Sequence, residues 1–329
     1  MQRNRLYNFS NFIAEDLQLP LIYLDPLIPV NSTTIFFGPF KSYKSIVVQQ
    51  MAIDIASGRS FLNLFDVPVP KKVLYLQNEL ADVWLQDRWR TMIKNYSDCI
   101  LDNLYYHNCK GMFLNNETTF NQLCEIIGNV KPDVVIIDSL YYTLIGDVSD
   151  GGVVNEVIRK CDRILTAYAP VSIVLVHHQR KTTNDRPDLG MEEMLGSVQL
   201  AAWPSVLIKM KCNEGDQKQL QFLFRYHPNI NPIEVRLNKS KFILETEDNI
   251  TPMSIESGIS TTLCHGELRC YDEIFRTIRN EIGVSRTRVR GSINAMLKMG
   301  RLTKVSIDGS ELYSLVSVRV PDSQENKNQ

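Results

Sequence analysis

A chain of 329 residues, 44% of them hydrophobic, can bury one large core and a small one, or two of middle size. Its 36 Lys and Arg nearly balance 37 Asp and Glu, so a net charge of -1 excludes binding to nucleic acid by bulk charge; any such surface is local. Seven cysteines without a CxxC pair argue for reduced thiols and a cytoplasmic protein, and no apolar run is long enough for a membrane span or, behind Met1–Arg5, for a signal core.

Residues 1–30 are mixed and broken by Pro20, Pro26 and Pro29, and read as a lead-in that packs on the main domain. From Thr33 the pattern alternates. Short apolar runs at Thr34–Phe37, Val73–Leu76, Leu104–His107, Val134–Ile137 and Ile173–Val176 read as strands. Helical patterns at Ile46–Ser57, Ala81–Asn95, Thr118–Gly128 and Val153–Tyr168 separate them. Apolar runs of this kind predict a parallel sheet covered on both faces. Trp203–Lys211, Gln219–Tyr226, Ile233–Leu237 and Phe242–Glu245 then read as an antiparallel extension at one sheet edge, with 213–216 as a turn. The expected α/β domain spans residues 31–245.

Residues 246–262 are polar, with Pro252 and Gly258, and read as a linker. Beyond them, Leu268–Asn280 and Arg286–Met299 are amphipathic, and Gly300 ends the second helix. Leu302–Ile307 and Leu312–Leu315 flank an Asp308-Gly309 turn. Helix, turn, helix and hairpin over 263–320 is a winged helix-turn-helix layout. Arg286, Arg288 and Arg290 on its second helix, with Arg301 and Lys304 on the wing, are the candidate DNA contacts. Residues 321–329 are a polar tail. Cys264, His265 and Cys270 cluster without a fourth ligand and give no closed zinc site.

The chemistry concentrates in Gly38-Pro39-Phe40-Lys41-Ser42-Tyr43-Lys44-Ser45, between the first strand and its helix. This is the layout of a phosphate-binding P-loop. Backbone N–H groups and Lys44 would hold phosphates, and the Ser45 hydroxyl with Asp138 would hold Mg²⁺. Tyr43 stands where a second glycine is usual, at a position that asks for positive φ. Asp138 ends an apolar strand expected beside the P-loop strand, Glu79 follows Val73–Leu76 and would polarise an attacking water, and His178 would sense the γ-phosphate. Arg180 and Lys181 follow it as candidate contacts to phosphate or nucleic acid. A Lys-Ser pair before a helix is also what a solvated lysine looks like, so the order of these motifs carries the reading.

The set GPFKSYKS, Ala56-Ser57-Gly58-Arg59, VLYLQNE with Arg88 beyond it, VVIIDS, VLVHHQRK and Leu195-Gly196-Ser197 resembles the AAA_25 or plasmid RepA-like group of RecA-fold ATPases, relatives of hexameric replicative helicases. The likeness covers about Leu21 to Leu237. It implies a RecA-like fold, ATP and Mg²⁺ as cofactors, Glu79 as catalytic carboxylate, Lys44 on the phosphates and His178 as sensor. It also implies a ring of copies, six in number, with DNA near loops 146–152 and 182–193 and replication proteins as further partners. Arg225 matches the arginine supplied across the ring interface, with His227 where a second arginine often stands. The expected activity is an ATP-driven DNA helicase or translocase. The alternative is an ATP-controlled, DNA-binding initiator or regulator of replication that does not unwind.

Overall fold

The computed structural model describes residues 6–17, 20–96, 102–179, 198–212, 217–246, 252–263, 268–282, 284, 286–307 and 309–316. The chain divides into two compact units, Met1–Glu247 and Asp248–Gln329.

The lead-in of the first unit holds a short helix, α1 (Phe9–Ala14), and a small hairpin of β1 (Ile22–Leu24) and β2 (Ile28–Pro29). Leu24, Leu27 and Ile28 are buried, and the Tyr23 hydroxyl donates to the carbonyl of Pro170 at 2.6 Å. The hairpin therefore belongs to the core of this unit.

Among the described residues, nine strands form one sheet. The strands that carry the site are β3 (Thr33–Gly38), β4 (Val73–Gln77), β6 (Val134–Asp138) and β7 (Ser172–His178); β5 (Leu104–Asn108) lies at one edge. On the other side lie β8 (Val206–Cys212), β9 (Gln217–Phe224), β10 (Ile233–Asn238) and β11 (Ile243–Thr246). The order is β11-β10-β9-β8-β3-β7-β6-β4-β5. From β8 to β5 all neighbours are parallel, and β9, β10 and β11 are added antiparallel. Every residue of β3, β4, β6 and β7 is buried, which is why their sequences run apolar without alternation. β9 alternates buried with partly exposed residues, because one of its faces meets solvent.

Helices α2 (Lys44–Ser57), α3 (Asp82–Ile93), α4 (Glu117–Val130) and α5 (Gly151–Ala167) connect the strands. The starts of α4 and α5 are capped by Asn116 and Asp150, whose side chains accept backbone N–H groups. The region read as one strand from Trp203 begins instead with a short helix, α6 (Val198–Ala202), and pairing starts at Val206. Edge strand β11 is tied to α2 by one side chain. The Gln50 amide donates to Leu244 O at 3.1 Å and accepts from Leu244 N at 2.7 Å. The expected turn at 213–216 lies outside the described residues.

The second unit contains α7 (Pro252–Thr262), β12 (Arg269–Cys270), α8 (Tyr271–Ile282), α9 (Arg286–Lys298), β13 (Leu302–Ile307) and β14 (Ser310–Leu315). Its described strands form a sheet in the order β12-β14-β13. The stretch expected as a linker is thus mostly helix. Pro252 occupies its first position, where a missing N–H costs nothing. Ile255, Ile259 and Leu263 recur at a spacing of four and enter one buried cluster with Ile274, Ile278, Val289, Ile293 and Met296. Gly300 takes φ 69° just past α9 and ends it. Asp308, Cys264, His265 and residues 321–329 lie outside the described residues.

Ile259→Ala is expected to cost the second unit about 2–5 kcal/mol, the range for truncating a fully buried isoleucine. Urea denaturation of the full chain reads it. A change under 0.5 kcal/mol, on the order of a surface substitution, contradicts a core role for α7.

Candidate active site

Four parallel strands end along one edge of the sheet, and the polar groups of the first unit gather there. β3 ends in Gly38, whose carbonyl accepts the N–H of Gln179 at 2.9 Å. A Cβ on Gly38 would lie 2.7 Å from the carbonyl oxygen of Met210, so the close passage of β8 requires glycine. The loop then turns through Lys41 (φ 58°) and Tyr43 (φ 69°, ψ 16°), both left-handed. Tyr43 thus keeps the conformation expected of the missing glycine. Its steric cost is roughly 1–2 kcal/mol, and the half-buried ring lies 5.8 Å from the Lys218 ammonium.

Tyr43 caps α2, and Lys44 and Ser45 form its first turn. Lys44 is 6% exposed, and its Nζ donates to the carbonyl of Pro39 at 2.6 Å. Burial pushes its pKa down to about 8, against the opposing pull of Asp138 and Glu79. The Ser45 hydroxyl donates to Asp138 Oδ1 at 3.2 Å. The strand carrying Asp138 was expected beside the P-loop strand. In the structure β7 lies between them, and the first turn of α2 spans that gap. Asp138 is 4% exposed, and burial, with Glu79 adding, pushes its carboxyl up to about 6. The buried Tyr75 hydroxyl donates to its Oδ2 at 2.5 Å.

Glu79 follows β4 in a turn fixed by Gln77, whose side-chain carbonyl accepts the N–H groups of Glu79 and Leu80 at 2.9 and 2.8 Å. Asn78 and Ser139 exchange two hydrogen bonds of 3.0 Å across the ends of β4 and β6. The Ser139 hydroxyl donates to Glu79 Oε1 at 2.6 Å, and His178 Nε2 stands 3.8 Å from the same oxygen. His178 first, then Ser139 and the Lys44 charge, hold the Glu79 carboxyl below its usual range against the effect of burial. Phe40, 57% exposed, stacks on the His178 ring at 4.3 Å. His177 is fully buried in β7 and does not line the cleft.

Lys44, Ser45, Glu79, Asp138, Ser139 and His178 line a cleft of about 480 Å³ with Lys41, Ser42, Tyr43, Arg88 and Gln49. Leu237 and Phe242, from the β10–β11 hairpin, give it an apolar wall. Ser45 and Asp138 offer oxygen donors alone, as a hard cation such as Mg²⁺ prefers. Among the described residues no group of three or more His, Cys, Asp or Glu is placed to hold a metal. Arg88, Gln49, Tyr75 and Ser139 had no site role in the sequence reading. Tyr75 and Gln49 stand in runs that pattern as buried strand and helix, whereas Ser139, next to Asp138, and Arg88, beyond VLYLQNE, carried a positional signal.

Other candidates fall elsewhere. Arg225 follows β9, and its N–H donates to the carbonyl of Ser205 just before β8 begins. Because β9 runs antiparallel, Arg225 stands at the end of the sheet opposite Gly38, outside the cleft of its own chain. Arg180, Lys181, residues 182–193 and Leu195-Gly196-Ser197 lie outside the described residues. In the second unit the basic residues are partly consumed. Arg286 pairs with Asp272 at 2.9 Å and lies 4.7 Å over the Phe275 ring; Arg290 lies 4.9 Å over Tyr271. Arg301 pairs with Glu256 at 2.6 Å, and Lys304 pairs with Glu311. Arg288 is half-buried on α9. No described helix is long and apolar enough to cross a membrane.

Residues 8–184, more than half of the chain, match the family described as an AAA domain, AAA_25. No curated protein matches the chain.

The raised Asp138 pKa makes a pH prediction. Between its ordinary value of 3.8 and about 6 the folded chain keeps a proton that the unfolded chain has lost. Stability from this group therefore falls as pH rises through that window, by up to roughly 3 kcal/mol. Urea midpoints of wild type and Asp138→Asn at pH 4, 5 and 6 measure it. The wild-type curve should drop relative to the variant, and parallel curves contradict the assignment.

Proposed function

The chain belongs to this AAA domain family, and we propose that its first unit binds ATP with Mg²⁺ and hydrolyses it. The observation that carries this reading is the setting of Glu79. Its carboxylate is held ionised by His178 and Ser139, across the cleft edge from Lys44 and Asp138. It is the base that would take a proton from an attacking water. Lys44 and the first N–H groups of α2 hold the phosphates. Ser45 and Asp138 hold Mg²⁺, which neutralises phosphate charge when bound. His178 stands where a γ-phosphate contact would be felt at Glu79 itself. The wall of Leu237 and Phe242 suits a nucleobase.

Beyond hydrolysis, we propose a RecA-like motor of the RepA-like replicative helicase type, acting on DNA as a ring of copies. Motif order along the first unit supports this. The arginine expected from a neighbouring copy is the weaker part, because Arg225 lies at the far end of the sheet and Arg88 already lines the cleft. The helix, helix and hairpin order of the second unit supports a second reading, an ATP-controlled, DNA-binding initiator or regulator without strand separation, although the unit's charge weighs against duplex contacts. Arg286, Arg301 and Lys304 are ion-paired, and residues 248–329 carry eleven Lys and Arg against ten Asp and Glu. A winged helix of that charge suits a protein partner better than duplex DNA.

Lys44→Ala is expected to abolish binding of a fluorescent ATP analogue. Glu79→Gln should keep that binding while kcat falls about 10²–10⁴-fold, the usual worth of a general base. Light scattering and ATPase assays with and without single-stranded DNA separate the two readings. Ring assembly with DNA-stimulated turnover supports the motor; a monomer whose turnover ignores DNA contradicts it. A chain that binds no nucleotide contradicts both.

A further inference from the structure

Behind Asp138 the hydrogen bonds run in one direction through Arg88, Gln49 and Tyr75 to its carboxylate, which accepts from Ser45 on the other side. Arg88 has donors only, so the group 3.5 Å from its Nη1 is the Gln49 amide oxygen. That orients the amide and turns its Nε2 toward the Tyr75 hydroxyl at 3.2 Å. A tyrosine that accepts there has one proton to give, and Asp138 Oδ2 stands 2.5 Å away. Oδ1 is then left to accept from Ser45 at 3.2 Å.

The torsion that turns an aspartate carboxylate is broad and nearly two-fold, so the side chain alone does not fix which oxygen points where. A donor on one oxygen does. Tyr75 is fully buried in β4, with its ring edge-on to Trp89 of α3 at 5.5 Å, so its hydroxyl is held in place by packing on all sides. Hydrogen bonds behind a metal ligand commonly set its orientation and its affinity for the cation.

We propose that Tyr75 is a positioning residue for the divalent-cation site, holding Asp138 by Oδ2 so that Oδ1 faces Ser45 and the cation. Gln49 sets the direction of the Tyr75 proton, and through it the chain of bonds begins at Arg88 on the cleft wall. The inference rests on the reading of this cleft as an Mg²⁺-ATP site.

The test uses the full chain, a non-hydrolysable ATP analogue and Mn²⁺ followed by electron paramagnetic resonance. Tyr75→Phe keeps the ring and removes the hydroxyl. It is expected to weaken Mn²⁺ binding about tenfold, the lower end for losing such a partner, while cation-free affinity for the analogue stays within about twofold. Gln49→Met, which frees the Tyr75 hydroxyl to turn, should weaken Mn²⁺ in the same direction, and it carries the test if Tyr75→Phe does not fold. Mn²⁺ affinity equal to wild type in a folded variant overturns the inference alone. A wild-type chain that binds no analogue overturns the nucleotide reading and this inference with it.

Discussion

A parallel sheet covered on both faces admits few charged side chains except at the ends of its strands, and this constraint places the site. β3, β4, β6 and β7 are buried throughout, so Gly38, Gln77, Asp138 and His178 mark where each strand leaves the core. Because all four run the same way, those exits lie on one edge. Parallel strands also carry their carboxyl ends toward the starts of the following helices, where unpaired N–H groups favour an anion. The cleft follows from sheet direction before any catalytic residue is chosen.

The same burial sets the electrostatics. Lys44 is pushed down toward neutrality, and Asp138 is pushed up toward protonation. Each is opposed by the other, yet desolvation is the larger effect for both. Glu79 goes the opposite way, because His178 and Ser139 sit against it. Two carboxylates lining the same cleft are thus driven apart. One is costly to ionise and suited to a cation that would take over its charge; the other is kept as a ready base.

Much of this architecture was legible in the residues, for physical reasons. The short apolar runs of β3, β4, β6 and β7 lack alternation because both of their faces are buried, and that pattern marks a covered parallel sheet. What misled was local chemistry with two meanings. Pro252 reads as a breaker, yet it opens α7, and the stripe of Ile255, Ile259 and Leu263 was the stronger signal. Strand order was invisible, so the interposition of β7 between Gly38 and Asp138 appears only in three dimensions. The Tyr75 hydroxyl hid inside an apolar strand. The ion pairs of Arg286, Arg301 and Lys304 were not visible in sequence, because their partners Asp272, Glu256 and Glu311 lie 14, 45 and 7 positions away. Sequence does not say at which end of the sheet Arg225 lies; it stands at the end opposite Gly38.

Gln50 has a consequence for how the cleft behaves as a body. Its amide replaces a missing neighbour strand at Leu244, so the hairpin that carries Phe242 is riveted to the helix that carries Lys44 and Ser45. The phosphate end and the apolar end of the cleft are therefore one mechanical part. A displacement of α2 by even a fraction of a helical turn would carry the β10–β11 hairpin with it, so grip on one end of a ligand would be felt at the other.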